Sequence, residues 1–284
     1  WDVTGDKIIQ LRGGVGIFTS RLPLVWPGGS YTNSGVTIGG VYHRSTWGEP
    51  IFFRGDWDNQ YISADFGYPE ADYGGQIDLF TEDFRFPQIF RVNLALDQRL
   101  PWGLIGTVEG IYSKTLNNML YYNVNVDPNP IAYLEGADNR PYYSDENLSS
   151  NYTRIMLGTN TNEGYSYNIT AQLQKPFSRG LTAMLAYNFG RAMALNDATS
   201  YQNSSQWRYM EQVNGLNYLD LSVSDFDIGH RITGYLNYEV NWLNHLTSSF
   251  TLFYNGQSGD VFSYVYNDNG NLNGEGENEG NLIY

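Results

Sequence analysis

The dominant pattern along the chain is an alternation of apolar and polar positions with period two. In residues 167–174 the odd positions are Tyr167, Ile169, Ala171 and Leu173, and the even ones are Asn168, Thr170, Gln172 and Gln174. Side chains of a strand point alternately to opposite faces, so this run predicts a strand with two unlike faces. Residues 181–190 repeat it, with Leu181, Ala183, Leu185, Tyr187 and Phe189 against Thr182, Met184, Ala186 and Asn188. The intervening Lys175-Pro-Phe-Ser-Arg-Gly180 reads as a tight turn, which makes the two runs a hairpin. Two further pairs have the same layout. Residues 90–99 and 104–113 flank Pro101-Trp-Gly103, and residues 231–240 and 249–258 flank Asn241-Trp-Leu-Asn-His245. Residues 9–18, with Ile9, Leu11, Val15 and Ile17 on one side, stand alone and bring the windows to seven.

Charge decides what kind of two-faced sheet this is. Within the seven windows the charged residues are Arg12, Arg91, Asp97, Arg99, Glu109, Arg231 and Glu239, all on the polar parity. The connections are unequal: three short turns contrast with long segments at 20–87, 125–164 and 191–227, rich in Asn, Asp, Gly and Tyr. Compact soluble domains seldom carry structureless loops beyond about 12–15 residues. Short turns at one end, long loops at the other and strands of about ten residues are the layout of a membrane-spanning barrel. The predicted fold is therefore all-β: an antiparallel transmembrane β-barrel with long extracellular loops, its inward face carrying those seven charges. Trp102 and Trp242 in the short turns, with Tyr112, Phe189 and Tyr254 near the opposite strand ends, fit aromatic girdles at two water–lipid boundaries. The competing reading is a soluble secreted β-sandwich.

Composition sharpens this. The 284 residues include 45 aromatics (Tyr 24, Phe 14, Trp 7), only 16% charged residues and no cysteine, yet mean hydropathy is −0.42. An apolar strand face beside long polar loops accounts for that combination. The net charge of −14 argues against a nucleic-acid partner, since affinity for phosphate comes from Lys and Arg. No apolar run is long enough for a membrane helix, and the opening residues, lacking a basic stretch followed by an apolar one, are not expected to act as a signal peptide. Seven strands would leave two edges unpaired in lipid, so the whole of 1–284 is expected to be one partial barrel domain, a slice of a larger one.

Several runs resemble the barrel of TonB-dependent outer-membrane receptors of the Oar-like kind. They are Leu11-Arg-Gly-Gly-Val-Gly-Ile-Phe-Thr-Ser-Arg21, Asp83-Phe-Arg-Phe-Pro-Gln-Ile-Phe-Arg-Val-Asn-Leu-Ala-Leu-Asp-Gln98, Leu100-Pro-Trp-Gly-Leu104, Gln172-Leu-Gln-Lys-Pro176, Asp225-Phe-Asp227 with His230-Arg231, and Phe253-Tyr-Asn-Gly-Gln-Ser-Gly259. The resemblance implies a barrel of about 22 strands closed by a plug. It also implies TonB-coupled import of a peptide, glycan or other large nutrient, with plug and TonB as partners through parts of the protein outside this sequence. Another outer-membrane protein or surface lipoprotein is a further expected partner, alongside outer-membrane lipid. The alternative is a surface receptor, adhesin or docking protein without energised import.

No catalytic constellation stands out, and the chain is expected not to be an enzyme. His43, His230 and His245 have no metal-ligand spacing, and Gly256-Gln-Ser-Gly259 is followed by Asp260 where a nucleophile elbow needs Gly. Gly14-Val-Gly16 lacks the rest of a dinucleotide loop. Asn269, Asn271, Asn273 and Glu275 mimic the start of a Ca²⁺ loop, but Gly280 stands where a bidentate Glu is required, so a solvated acidic loop is preferred and no cofactor is assigned. The long loops hold Trp26, Tyr31, Trp47, Trp57, Tyr142, Tyr143, Tyr201, Trp207 and Tyr209. These aromatics either grip a ligand or pack on one another above the barrel mouth. The inward charges either contact a plug or tune a lumen.

Overall fold

The computed structural model describes residues 1–36, 43, 51–68, 74–242, 245–266, 272–275 and 280–283. In chain order these form β1 (Ile9–Thr19), α1 (Val25–Thr32), β2 (Gly75–Phe80), β3 (Gln88–Leu100), β4 (Leu104–Asn123), β5 (Ala132–Tyr133), β6 (Pro141–Tyr142), β7 (Tyr152–Thr161), β8 (Tyr165–Ser178), β9 (Leu181–Ala194), α2 (Asn203–Arg208), β10 (Ser222–Val223), β11 (His230–Trp242) and β12 (Leu246–Gln257). The long strands make one antiparallel wall in the order β1-β3-β4-β8-β9-β11-β12. Each alternating window of the sequence falls in one of these seven strands.

Register keeps the two parities apart across the wall. One row runs Leu11, Leu96, Val108, Ala171, Tyr187, Ile232; the row beside it runs Arg12, Ala95, Glu109, Thr170, Asn188, Arg231. A slip of one residue in any strand would put its charges on the apolar face, so register and pattern specify each other. The apolar face is uncovered: Leu94, Leu185 and Leu252 are 58%, 57% and 69% exposed. A sandwich would have buried this face against a second sheet. The only other sheet among the described residues is the short β5–β6 pair.

The short connections are built for tight reversal. Ser178 pairs with Leu181 across Arg179 and Gly180, whose φ values of 52° and 81° suit a two-residue primed turn. Gly180 is required twice over, because a Cβ there would lie 2.5 Å from the Glu239 carbonyl oxygen on neighbouring β11. Gly180→Val is expected to destabilise the β8–β9 hairpin by about 1–3 kcal/mol. The check is the temperature at which the folded, fast-migrating barrel band disappears on an unheated gel; an unchanged temperature would refute it.

The long connections differ from the expected structureless loops. Among the described residues there are twelve strands rather than seven, the five extra ones lying with α1 and α2 in these segments. β4 runs on past the 104–113 window and, beyond its pairing with β8, uses residues 118–123 to pair with β7, on which β2 lies parallel. The dry core forms here: Leu22, Trp26, Met119, Tyr121, Met156, Trp207 and Leu216 make one buried cluster. Of the buried hydrophobic residues only Ala95 lies in the seven-stranded wall below this extension. The protein is thus a wall with a bare apolar face and a loop cap with a core of its own.

Candidate functional site

The polar face of the wall is a hydrogen-bonded surface. Arg12 Nε donates to Asp97 Oδ2 at 2.7 Å, Thr107 Oγ1 donates to Asp97 Oδ1 at 2.6 Å, and Glu109 lies 3.9 Å from Arg12 Nη1. Three adjacent strands bring these groups together on neighbouring rows, as cross-strand geometry allows. Farther round, Arg91 Nε donates to Ser113 Oγ and Arg231 Nε to Asn255 Oδ1, both at 3.0 Å. Arg99 and Glu239 lie nearer the short-turn end, opposite Ile105 and Ser249, apart from the Arg12 cluster. Partly exposed pairs of this kind contribute about 0.2–1 kcal/mol each, so they shape the surface more than they hold the fold.

On the opposite face, at the long-loop end, aromatic side chains gather around His230. Its Nδ1 is 2.7 Å from the Tyr187 hydroxyl, and its ring centroid is 5.1 Å from that of Phe189, which in turn is 6.2 Å from Tyr167. His230 also anchors the following connection, its N–H donating to Ser258 Oγ at 3.1 Å. At the short-turn end Trp102 is exposed, and Trp242 is exposed with Nε1 donating to Ser248 Oγ at 3.0 Å. Amphipathic rings at both ends of an apolar band suit two lipid–water boundaries.

The loop aromatics divide into two groups. Trp26, Tyr143 and Trp207 are buried in the cap. Trp26 meets Tyr121 edge to face at 6.4 Å, Trp207 Nε1 donates to Asn217 Oδ1 at 2.8 Å, and Tyr143 stacks on Tyr218 at 5.8 Å. Trp57, Tyr142, Tyr31, Tyr201 and Tyr209 are exposed, while Trp47 lies outside the described residues. Of the Ca²⁺-loop candidates, Asn269 and Asn271 also lie outside them. Asn273 and Glu275 are buried and engaged with protein: Asn273 Nδ2 donates to the Pro141 and Val213 carbonyls, and Glu275 Oε2 accepts from Leu216 N at 2.8 Å. Among the described residues no group of three His, Asp or Glu is placed to hold a metal.

Asn side chains stitch the irregular segments of the cap together. Asn125 Oδ1 accepts from Ser149 N at 2.8 Å while its Nδ2 donates to the Ser149 and Tyr152 carbonyls. Asn217 bonds both the N–H and the C=O of Asn123. A carboxamide offers donor and acceptor together, so it replaces the ladder partner that an irregular segment lacks. Asp227 acts similarly at the wall, accepting from Ala192 N and pairing with Arg191 Nη1 at 3.4 Å, which ties β9 to the segment before β11.

A family model described as an outer membrane beta barrel domain matches residues 1–283. The chain belongs to this outer-membrane β-barrel family. No curated protein matches it. Its place is the outer membrane, with the bare apolar face toward lipid; no helix among the described residues is long and apolar enough to cross a membrane.

In this outer-membrane barrel the titrating groups that stand out lie in the cap. Burial, then the carboxylate of Asp78, raises the Tyr121 hydroxyl well above its usual range. Burial, then Tyr218 and Glu275, pushes Tyr143 up to about 12. Partial desolvation at an otherwise exposed side chain, then Asp197 and Glu211, raises the Asp225 carboxyl. Because the folded cap holds that proton more tightly than the unfolded chain does, the Asp225 contribution weakens as pH rises from the ordinary Asp range through the raised value. Asp225→Asn is expected to raise the urea midpoint of the cap at pH 7 and leave it nearly unchanged at pH 3. An equal shift at both pH values would show that charge is not the cause.

Proposed function

We propose that this chain is part of the barrel wall of a TonB-dependent outer-membrane transporter of the Oar-like kind, importing a peptide, glycan or other large nutrient, without catalysis of its own. The carrying observation is the polar parity of the wall, which holds all seven charges of the predicted spanning windows while the opposite parity is apolar and bare. Such a surface suits contact with a plug or a wetted lumen. The wall's edges support a wider barrel. Among the described residues β12 pairs only with β11, and β1 only with β3 apart from contacts of Trp1–Val3 near its start. Open edges are not tolerated in hydrocarbon, which favours further strands continuing the wall.

The folded cap favours a second reading, a surface receptor or docking protein, since a cap with its own core can hold a partner without any import step. Photo-crosslinking separates the two. A photoreactive residue replacing Asn93 or Thr170 on the inward face is expected to crosslink to a plug in the same polypeptide in cells. Deleting TonB is expected to abolish growth that depends on the protein. Absence of both effects would overturn the import reading.

A further inference from the structure

Between α1, α2 and β2 the cap opens a cleft of about 460 Å³, within the size range of small-molecule sites. Asp78 of β2 lines it and is only 2% exposed. Its carboxylate accepts from two neutral donors, Gln76 Nε2 at 2.6 Å and Asn33 Nδ2 at 2.7 Å. Among the described residues no Lys, Arg or His forms an ion pair with it. By contrast, buried Asp227 has Arg191. A buried carboxylate without a counter-charge is costly, and a cation arriving beside it recovers part of that cost.

The surroundings of Asp78 suit such a cation. Gly29 of α1 lets the helix backbone approach the carboxylate, since a Cβ there would lie 2.7 Å from Asp78 Oδ2 and 2.9 Å from Asn203 Nδ2. Tyr201 also lines the cleft and is 70% exposed, a ring able to face an ammonium group. Asn33, Gln76, Gln202 and Ser204 add amide and hydroxyl groups around it. We propose that this cleft binds the ammonium group of a small amine-bearing ligand, with Asp78 as counter-charge and the amide and hydroxyl rim holding the ligand's neutral polar groups. The inference rests on the outer-membrane placement and not on energised import.

The source of the amine is either an amino sugar or a lysine side chain, and titration calorimetry on the protein in detergent micelles distinguishes them. Glucosamine is compared with N-acetylglucosamine, and Nα-acetyl-lysine amide with Nα-acetyl-norleucine amide. At least one amine is expected to bind ten-fold or more tightly than its neutral counterpart, and which one does so identifies the source. Asp78→Asn is expected to weaken that binding at least ten-fold. Gly28→Leu provides a second route, because Gly28 lines the cleft and a Cβ there meets nothing within 4 Å, so bulk is added at the cleft wall and Asp78 itself is unchanged. It is expected to block binding even if Asp78→Asn fails to fold. Failure of both amines to bind, or binding unaffected by a folded Asp78→Asn or by Gly28→Leu, overturns the proposal. Since no TonB is present, either result leaves the import reading untouched.

Discussion

Leu185→Arg is expected to cost about 2–4 kcal/mol of folding stability in lipid vesicles, the cost of an Arg on the lipid face of a barrel near the bilayer midplane. Leu185 lies well inside β9, on the outward row that joins Leu173, Leu185, Gly234 and Tyr254 across four strands. It is 57% exposed, so no protein core surrounds it and the cost can arise only from lipid. Ala186→Arg is the matched control, one residue along and facing the polar side, where its neighbours are Gln172 and Thr233. That change is expected to shift stability by about 0.5 kcal/mol or less, as surface substitutions usually do. Urea titrations of both variants refolded into vesicles, followed by tryptophan fluorescence, give the comparison. Equal midpoints for the two variants would mean that the apolar parity does not face lipid.

The contrast between these two positions is what the sequence made legible. Each spanning strand has unlike surroundings on its two sides, and period two records that difference residue by residue, so the seven windows and the three hairpins follow from the pattern and the short turns, whereas the β1–β3, β4–β8 and β9–β11 pairings cross long connections and do not. The cap left no such record. In Met119-Leu120-Tyr121 of β4 every side chain is buried, so alternation disappears and the segment reads as a mere apolar run. Its partner β7, and the parallel pairing of β7 with β2, join residues far apart in the chain, and no local propensity specifies them. The loop aromatics were visible as candidates, but their separation into buried Trp207 and exposed Trp57 depends on those distant pairings. Asp78 is illegible in the sequence for the same reason: a lone Asp in a long polar segment carries no signal until Asn33 and α2 are brought beside it. His230 bonds Ser258 Oγ just past the end of β12. Its contact with Tyr187 on the outward face required the β9–β11 register.

Trp207→Ala is expected to remove about 3–5 kcal/mol from the cap while leaving the wall intact. Trp207 is 1% exposed, and its loss empties a large volume and leaves the Asn217 carbonyl without its indole donor. It is also what holds α2 in place. Six residues are too few for a helix to persist alone, so α2 depends on this anchor and on Tyr121, whose hydroxyl donates to Asn203 Oδ1 at 3.0 Å. The buried cluster draws on the loops and on the outer parts of β4 and β7, whereas the wall is held by its own ladders. The two should therefore melt separately. In Trp207→Ala, protease added to intact cells is expected to cut the long connections while the barrel band on an unheated gel persists. Trp57→Ala, at a side chain 82% exposed, should change neither. Because Asn203 lines the Asp78 cleft, the Trp207 variant should lose amine binding together with protease resistance. Loss of the barrel band along with the cap would instead show one cooperative unit, with the wall relying on the core above it.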